Sequence, residues 1–291
     1  MDRIDCIVAG AGVVGLAVAR EMSSRGFETL LVERASAIGT ETSARNSEVM
    51  HAGLYYPPGS LKADVCVRGH AILSAYVRER AIPHRRCGKL IVATDATQEP
   101  GLARIAENAR LCGVTSLVKL DAAAAMAMEP ALTCTAALFS PETGIIDSQG
   151  LMLALLGDAE AAGATLALNS SIIGGSVSPP EIVLQTRDEA TGATHEIAAR
   201  HFINAAGLGA NALAASLEGL PVEHVPGLHL AKGNYFSVAG LAPFSHLIYP
   251  VPEPGGLGVH LTLDLQGAMR FGPDVEWIPA VEYSVDPCRS D

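Results

Sequence analysis

The stretch Ile4-Asp5-Cys6-Ile7-Val8-Ala9-Gly10-Ala11-Gly12-Val13-Val14-Gly15 decides how this chain is read. An apolar run enters three glycines whose spacing serves three purposes. Gly10 permits a tight turn from strand to helix. Gly12 lets the backbone approach a pyrophosphate, and Gly15 lets the helix pack closely on the strand. Leu16 to Met22 then reads as a helix whose N-terminal N–H groups and positive dipole end suit phosphate, with Gly26 as its stop. Glu28-Thr29-Leu30-Leu31-Val32 reads as a second buried strand. Glu33 closes it, 18 residues after Gly15, where a carboxylate can accept hydrogen bonds from ribose hydroxyls. Strand, glycines, helix, strand and acid in that order predict a dinucleotide site.

Composition narrows the remainder. A chain of 291 residues that is 49% hydrophobic and 18% charged can build a sizeable core in one large or two ordinary domains. A net charge of −11 argues against nucleic acid or anionic lipid as an electrostatic partner. The basic trio His84-Arg85-Arg86 reads as a solvated turn. None of the six cysteines forms a CxxC pair, so they read as reduced residues of a cytoplasmic protein, not as a disulfide framework. No metal site is expected. The first strand is flanked by acids and followed by phosphate-type glycines, which argues against a signal peptide. No apolar run has the length of a membrane span.

Along the chain, residues 36–60 read as a polar loop ending in Pro57-Pro58-Gly59, followed by a helix over Leu61 to Arg80. Cys87 to Ala93 reads as a strand, Leu102 to Cys112 as a helix, and Ala122 to Met128 as a short helix whose methionines pack. Gly144 to Asp147 is a strand piece, Leu151 to Ala162 an amphipathic helix, and Ala164 to Leu168 a strand. Glu181 to Thr186 and His195 to Ala198 read as a hairpin, and His201 to Gly207 as a separate strand running into the turn Gly207-Leu208-Gly209. From Leu230 onward the pattern is antiparallel strands with Pro/Gly turns. The expected fold is α/β: a discontinuous Rossmann-like nucleotide domain (1–80 and 145–225) with an inserted, mainly antiparallel α+β substrate domain (81–144 and 226–291).

Four further segments carry a resemblance. They are Thr42-Ser43-Ala44-Arg45-Asn46-Ser47-Glu48-Val49-Met50-His51-Ala52-Gly53-Leu54-Tyr55-Tyr56, continuing through Pro57 to Ala63; Ile203-Asn204-Ala205-Ala206-Gly207; Lys232-Gly233-Asn234-Tyr235-Phe236; and Tyr249 to Pro252 with Gly256 to Thr262. With the glycine fingerprint they make the chain resemble FAD-dependent oxidoreductases of the D-amino-acid oxidase superfamily, and within it the L-2-hydroxyglutarate dehydrogenase/oxidase family. The resemblance implies non-covalent FAD and oxidation of a small 2-hydroxy acid, most closely L-2-hydroxyglutarate to 2-oxoglutarate, by hydride transfer to flavin N5. Oxygen or a membrane quinone would be the electron acceptor, and the location cytoplasmic or peripheral at the inner membrane. Glycine/sarcosine-type amino-acid oxidation and glycerol-3-phosphate oxidation are alternatives on the same fold. Family members continue for several tens of residues, with a segment that closes over the flavin. This chain stops at Cys288-Arg289-Ser290-Asp291, so a truncated, non-catalytic flavin-binding remnant is a third reading.

Residue roles follow. Gly10, Gly12, Gly15 and Glu33 hold the adenosine half of the cofactor. Thr42, Ser43 and Ser47 offer hydroxyl and backbone groups to the pyrophosphate or ribityl chain, although any of them can equally cap a helix. Ala206 and Gly207 place bare backbone beside the cofactor. The resemblance adds Ile172 at the adenine edge, and Arg34, Asn46, Ala52 and Gly53 as cofactor contacts. It also places His51 in a loop running past the flavin ring, where an imidazole can take the hydroxyl proton. His260 competes for that role, and a structural histidine is the plain alternative for each. A dicarboxylate calls for cations and hydroxyls, and the candidates are Arg45, Tyr55, Lys232, Tyr235, Tyr249, Thr262 and Arg270.

Overall fold

The computed structural model describes residues 1–240, 242–252 and 258–290. Gly256 and Leu257 of the quoted motif lie outside them. The first strands are β1 (Asp2–Ala9), β2 (Thr29–Val32), β3 (Val49–Met50), β4 (His84–Arg85), β5 (Lys89–Ala93), β6 (Val118–Asp121), β7 (Ala136–Ser140) and β8 (Gly144–Ile146). They are followed by β9 (Thr165–Ala167), β10 (Ser170–Ser178), β11 (Glu181–Asp188), β12 (Thr194–Asn204) and β13 (Leu217–Glu218). The last are β14 (Leu230–Lys232), β15 (Phe236–Val238), β16 (Leu247–Pro250), β17 (His260–Leu263), β18 (Met269–Gly272) and β19 (Glu276–Ile278). The helices are α1 (Val13–Ser24), α2 (Leu61–Glu79), α3 (Glu99–Leu111), α4 (Ala122–Met128), α5 (Ser148–Ala161) and α6 (Ala210–Ala215).

Two compact units emerge, each assembled from two chain segments: Met1–Asn46 with Ser148–His229, and Ser47–Asp147 with Leu230–Asp291. The first boundary therefore falls after Asn46, not at residue 80 as expected. Two contacts move residues 47–80 into the second unit. β3 pairs antiparallel with β8, Val49 opposite Ile145, and Ala52 and Leu54 are buried in one cluster with Ile91, Leu102 and Leu138. The other boundaries shift by three or four residues for the same reason, because elements follow their packing partners.

In the first unit a seven-stranded sheet runs β13-β10-β11-β12-β1-β2-β9. β1 pairs in parallel with β2 and β12, and β2 with β9. Ile7, Val32, Leu184, Ala199 and Leu217 form its buried cluster. The helices α1 and α5 pack together, α1 burying Leu16 and Ala19 and α5 burying Met152, Leu155 and Ala159, and an Arg20–Asp158 ion pair at 2.9 Å joins them. The expected break between His195–Ala198 and His201–Gly207 does not exist. β12 is one strand that lies antiparallel to β11 through Thr194–Ala199 and parallel to β1 through Ile197–Asn204.

In the second unit the main sheet runs β15-β18-β17-β16-β5-β7-β6. It is antiparallel except where β16 lies parallel to β5. All five residues of β5 are buried, because α3 covers one face through the Ile91–Ala93 cluster and α4 the other through the Leu90–Val92 cluster. Met126, expected to pack, is instead exposed at the edge of α4. No cysteine is disulfide-bonded. Among the described residues no helix is long and apolar enough to cross a membrane.

Candidate functional site

The glycine turn of the first unit has no spare room. Gly10 has φ +95°, and a Cβ there would sit 2.6 Å from the Ala205 carbonyl oxygen. A Cβ on Gly15 would meet the Gly10 carbonyl oxygen at 1.8 Å. Helix α1 thus starts directly against the strand ends, with Gly12 at its N-cap and no acidic side chain in its first turn. The Val13 N–H donates to the Ser43 Oγ at 3.0 Å, which brings the Thr42–Ala44 turn to the helix N-terminus. Glu33 is buried at the end of β2. Its carboxylate accepts the Ala11 N–H and the Ala35 N–H, both at 2.8 Å, so acid and glycine turn are locked together. Each carboxylate oxygen retains a lone pair for a further donor. An open cavity of about 450 Å³ beyond it is lined by Arg34, Ala35, Ser171, Arg187 and Glu189. Backbone that only glycine can adopt, a helix N-terminus free of acidic side chains and a fixed carboxylate suit an adenine dinucleotide.

The other predicted cofactor residues of this unit, and the substrate candidate Arg45, have local work. Arg34 pairs with Glu41 at 2.7 Å. The Asn46 amide donates to the Ser43 carbonyl at 2.8 Å, and the Arg45 guanidinium to the Thr40 and Glu41 carbonyls. These bonds shape the loop that delivers Ser43. Gly207 turns with φ +54°, and a Cβ there would meet only the Thr42 Oγ1 at 3.9 Å. The Ala206 N–H donates to the Asn204 side chain. Ile172 lies on β10 and packs against the sheet's core cluster.

The second unit gathers polar groups by strand register. Tyr249 lies opposite Ile91, and Ile91 is two residues from Lys89 on β5. Thr262 lies opposite Arg270, and His260 opposite Gly272. Since side chains alternate along a strand, Lys89, Tyr249, His260, Thr262 and Arg270 share one sheet face. The Tyr249 and His260 rings stack at 3.7 Å, 3° from parallel. The Lys89 Nζ sits 4.6 Å from the Tyr55 ring centroid and 4.7 Å from that of Tyr249. Lys89 is only 1% exposed and makes no ion pair among the described residues. Burial pulls its ammonium down to about 7. Burial pushes the Tyr55 and Tyr249 phenols well above their ordinary value. The Tyr55 hydroxyl is buried without a hydrogen-bond partner.

His51 follows β3 into this region. Solvent reaches it, yet protein crowds it closely. Burial, and then the charges of Lys89, His260 and Lys62, lower its imidazole to about 4. At neutral pH it is therefore uncharged, with a ring nitrogen able to accept a proton. Ala52 is buried beside it, and Gly53 turns with φ +83° against Val67. The Ser47 side chain hydrogen-bonds the Tyr235 hydroxyl, and Arg270 lies within electrostatic reach of that phenol.

The structure thus brings His51, Tyr55, Tyr249 and His260 together, with Thr262 and Arg270 on neighbouring strands and Tyr235 immediately before β15. Lys232 stands apart. It lies on the two-stranded ribbon β14-β19, where Glu276 and Glu282 match its charge at 3.5 and 3.8 Å and its ammonium donates to the Ser284 carbonyl. Sequence reasoning missed Lys89 because it opens an apolar run. The available signal was a lysine inside a fully buried strand pattern, where charge is rare without a purpose.

Comparison with known proteins gives concordant results. Residues 5–290 match the family described as FAD dependent oxidoreductase. An L-2-hydroxyglutarate dehydrogenase from Arabidopsis thaliana mitochondria is 44% identical, over all of this chain and 68% of its own length. The L-2-hydroxyglutarate dehydrogenase of Escherichia coli K12 is 31% identical, over 93% of this chain and 63% of its own. The chain therefore spans about two thirds of the length of these relatives. Among solved structures, FAD-bound L-alpha-glycerophosphate oxidase from Mycoplasma pneumoniae superposes with a TM-score of 0.85 at 24% identity, covering 95% of this chain and 72% of that one. Glycine oxidase from Geobacillus kaustophilus gives 0.81 at 21%, over 99% and 75%.

Proposed function

The chain belongs to the FAD-dependent oxidoreductase family, and from that membership we propose that it oxidises L-2-hydroxyglutarate to 2-oxoglutarate. The observation that carries this reading is one cluster holding an uncharged imidazole beside a buried lysine and partnerless phenol. Such a cluster suits an anionic hydroxy acid better than a cationic amine. The 44% identity to a dehydrogenase of that substrate supports the same choice.

FAD would be held without a covalent bond, by the Gly10–Gly15 turn, the α1 N-terminus, Ser43 and Glu33, with Thr42, Ala206 and Gly207 lining the approach. When bound it supplies the acceptor for the two electrons that leave C2 as hydride. The chain's own residues do the remainder. His51 takes the C2 hydroxyl proton, acting as a general base that is already deprotonated at neutral pH. His260, buried and stacked on Tyr249, orients that ring. Tyr55, Tyr235, Tyr249 and Arg270 offer donors to the substrate. Electrons then pass to oxygen or to a membrane quinone.

The test is spectroscopic. FAD-loaded protein is expected to bleach anaerobically with L-2-hydroxyglutarate, and not with the D isomer, glycine, sarcosine or glycerol 3-phosphate. Bleaching by one of the other substrates in its place would reassign the reaction. Binding itself is read separately. FAD at a hundred times its Kd is expected to stabilise the protein by about 2.7 kcal/mol, or roughly 5 °C in melting temperature for a chain of this size. No shift would remove the cofactor from the account.

A further inference from the structure

We propose that Lys89, together with the partnerless Tyr55 hydroxyl, is the receptor for a carboxylate of the substrate. The proposal deepens the reading above and rests on it for the identity of the substrate. The ammonium is enclosed between two aromatic faces, 4.6 Å from Tyr55 and 4.7 Å from Tyr249. Cation–π attraction is smaller than the cost of taking an ammonium out of water. A lysine kept only for packing would be better replaced by methionine.

The groups facing Lys89 do not supply the missing anion. Tyr55 and Tyr249 present rings. Cys66 on α2 favours its charge through the thiol, but burial raises that thiol and keeps it neutral. His51 feels Lys89 as a like charge, and with it His260 and Lys62. No Asp or Glu among the described residues forms an ion pair with it. A buried cation without a counter-ion, beside a buried hydroxyl without an acceptor, calls for an anion that accepts hydrogen bonds, and on the functional reading above that anion is a carboxylate. Entry of that anion would favour the ammonium form, so binding would take up a proton. It would also favour a protonated His51, which makes His51 the competing source of any uptake.

Calorimetric titration of FAD-loaded protein with glutarate tests this, because glutarate carries both carboxylates and no hydroxyl to oxidise. Measurements in two buffers of different ionisation enthalpy count protons. With Lys89 near 7, about half a proton is expected to be taken up per glutarate at pH 7, and more at pH 8. Lys89→Met is expected to weaken glutarate at least about tenfold, the loss for one charge-assisted hydrogen bond. It should abolish proton uptake and raise, not lower, the melting temperature at pH 7. Lys89→Arg should retain much of the affinity without the uptake, since its charge is fixed. Three results would overturn the proposal: no glutarate binding by the parent, unchanged affinity in Lys89→Met, or uptake that survives Lys89→Met and vanishes in His51→Asn. The functional reading fails independently. If L-2-hydroxyglutarate does not bleach the flavin while glutarate binds through Lys89, the subsite stands and the substrate is another carboxylate.

Discussion

His51→Asn is expected to lower kcat for L-2-hydroxyglutarate by about 10² to 10⁴-fold, the usual contribution of a positioned general base. KM should change little, since Tyr55, Lys89 and Arg270 remain to bind the anion. Asparagine keeps a polar side chain of similar reach but cannot take a proton. The pH profile separates this from a packing defect. On the proposed roles, the reactive form has His51 deprotonated and Lys89 protonated. Burial and neighbouring charge put the first near 4 and the second near 7. As pH falls through His51's value the base is lost, and as pH rises through Lys89's value the anion receptor is lost. The parent kcat/KM should therefore be bell-shaped, with limbs near those two values in the free enzyme. His51→Asn should remove the acid limb and keep the alkaline one. Parent-like kcat in His51→Asn would move the base elsewhere, with His260 the first place to look. His260→Asn should instead lower stability, because it deletes the ring stacked at 3.7 Å on Tyr249.

How the residues divide between what sequence exposes and what it conceals follows the range of the interactions involved. The Gly10–Glu33 unit is legible because its defining constraints are local, a turn that needs φ +95° at Gly10 and a helix start that needs Gly15, even though Ala205 also closes on Gly10 from far along the chain. The loop carrying Ser43 was recognised by family resemblance, but its bond to Val13, 30 residues earlier, belongs to the tertiary fold. The boundary after Asn46 was illegible for a related reason. β3 is two residues long, and its partner β8 lies almost a hundred positions downstream. The unity of β12 was hidden because its two halves answer to different neighbours, β11 and β1. Lys89 was invisible as a site residue because its meaning comes from Tyr55 on a loop and Tyr249 on β16, which meet it only when β16 docks in parallel beside β5. Lys232 shows the converse. Its motif suggested a substrate cation, but Glu276 on the paired strand β19 and Glu282 just beyond that strand match its charge. Sequence periodicity places a side chain on a face. It does not say which opposing charge comes to meet it.

The glycine turn allows a second large effect to be separated into folding and binding. Gly15→Ala is expected to cost about 3 kcal/mol or more, the upper end for forcing an extra carbon into a packed interior. The new methyl would lie 1.8 Å from the Gly10 carbonyl oxygen, and both partners are backbone, so no side chain can swing aside. The helix must retreat from β1, and its N-terminal N–H groups retreat with it. Melting temperature should fall by roughly 6 °C or more, and the stabilisation by added FAD should fall with it. Gly26→Ala provides the matched control. Unlike helical Gly15, Gly26 has a positive φ, +86°, and nothing lies within 4 Å of its absent Cβ. It should cost only the backbone term, about 1 kcal/mol, and retain the full FAD shift. Thermal unfolding of both variants with and without FAD reads the difference directly. If Gly15→Ala kept the parent's FAD shift, helix α1 would not be what holds the pyrophosphate, and the cradle would have to be sought in the Ser43 loop alone.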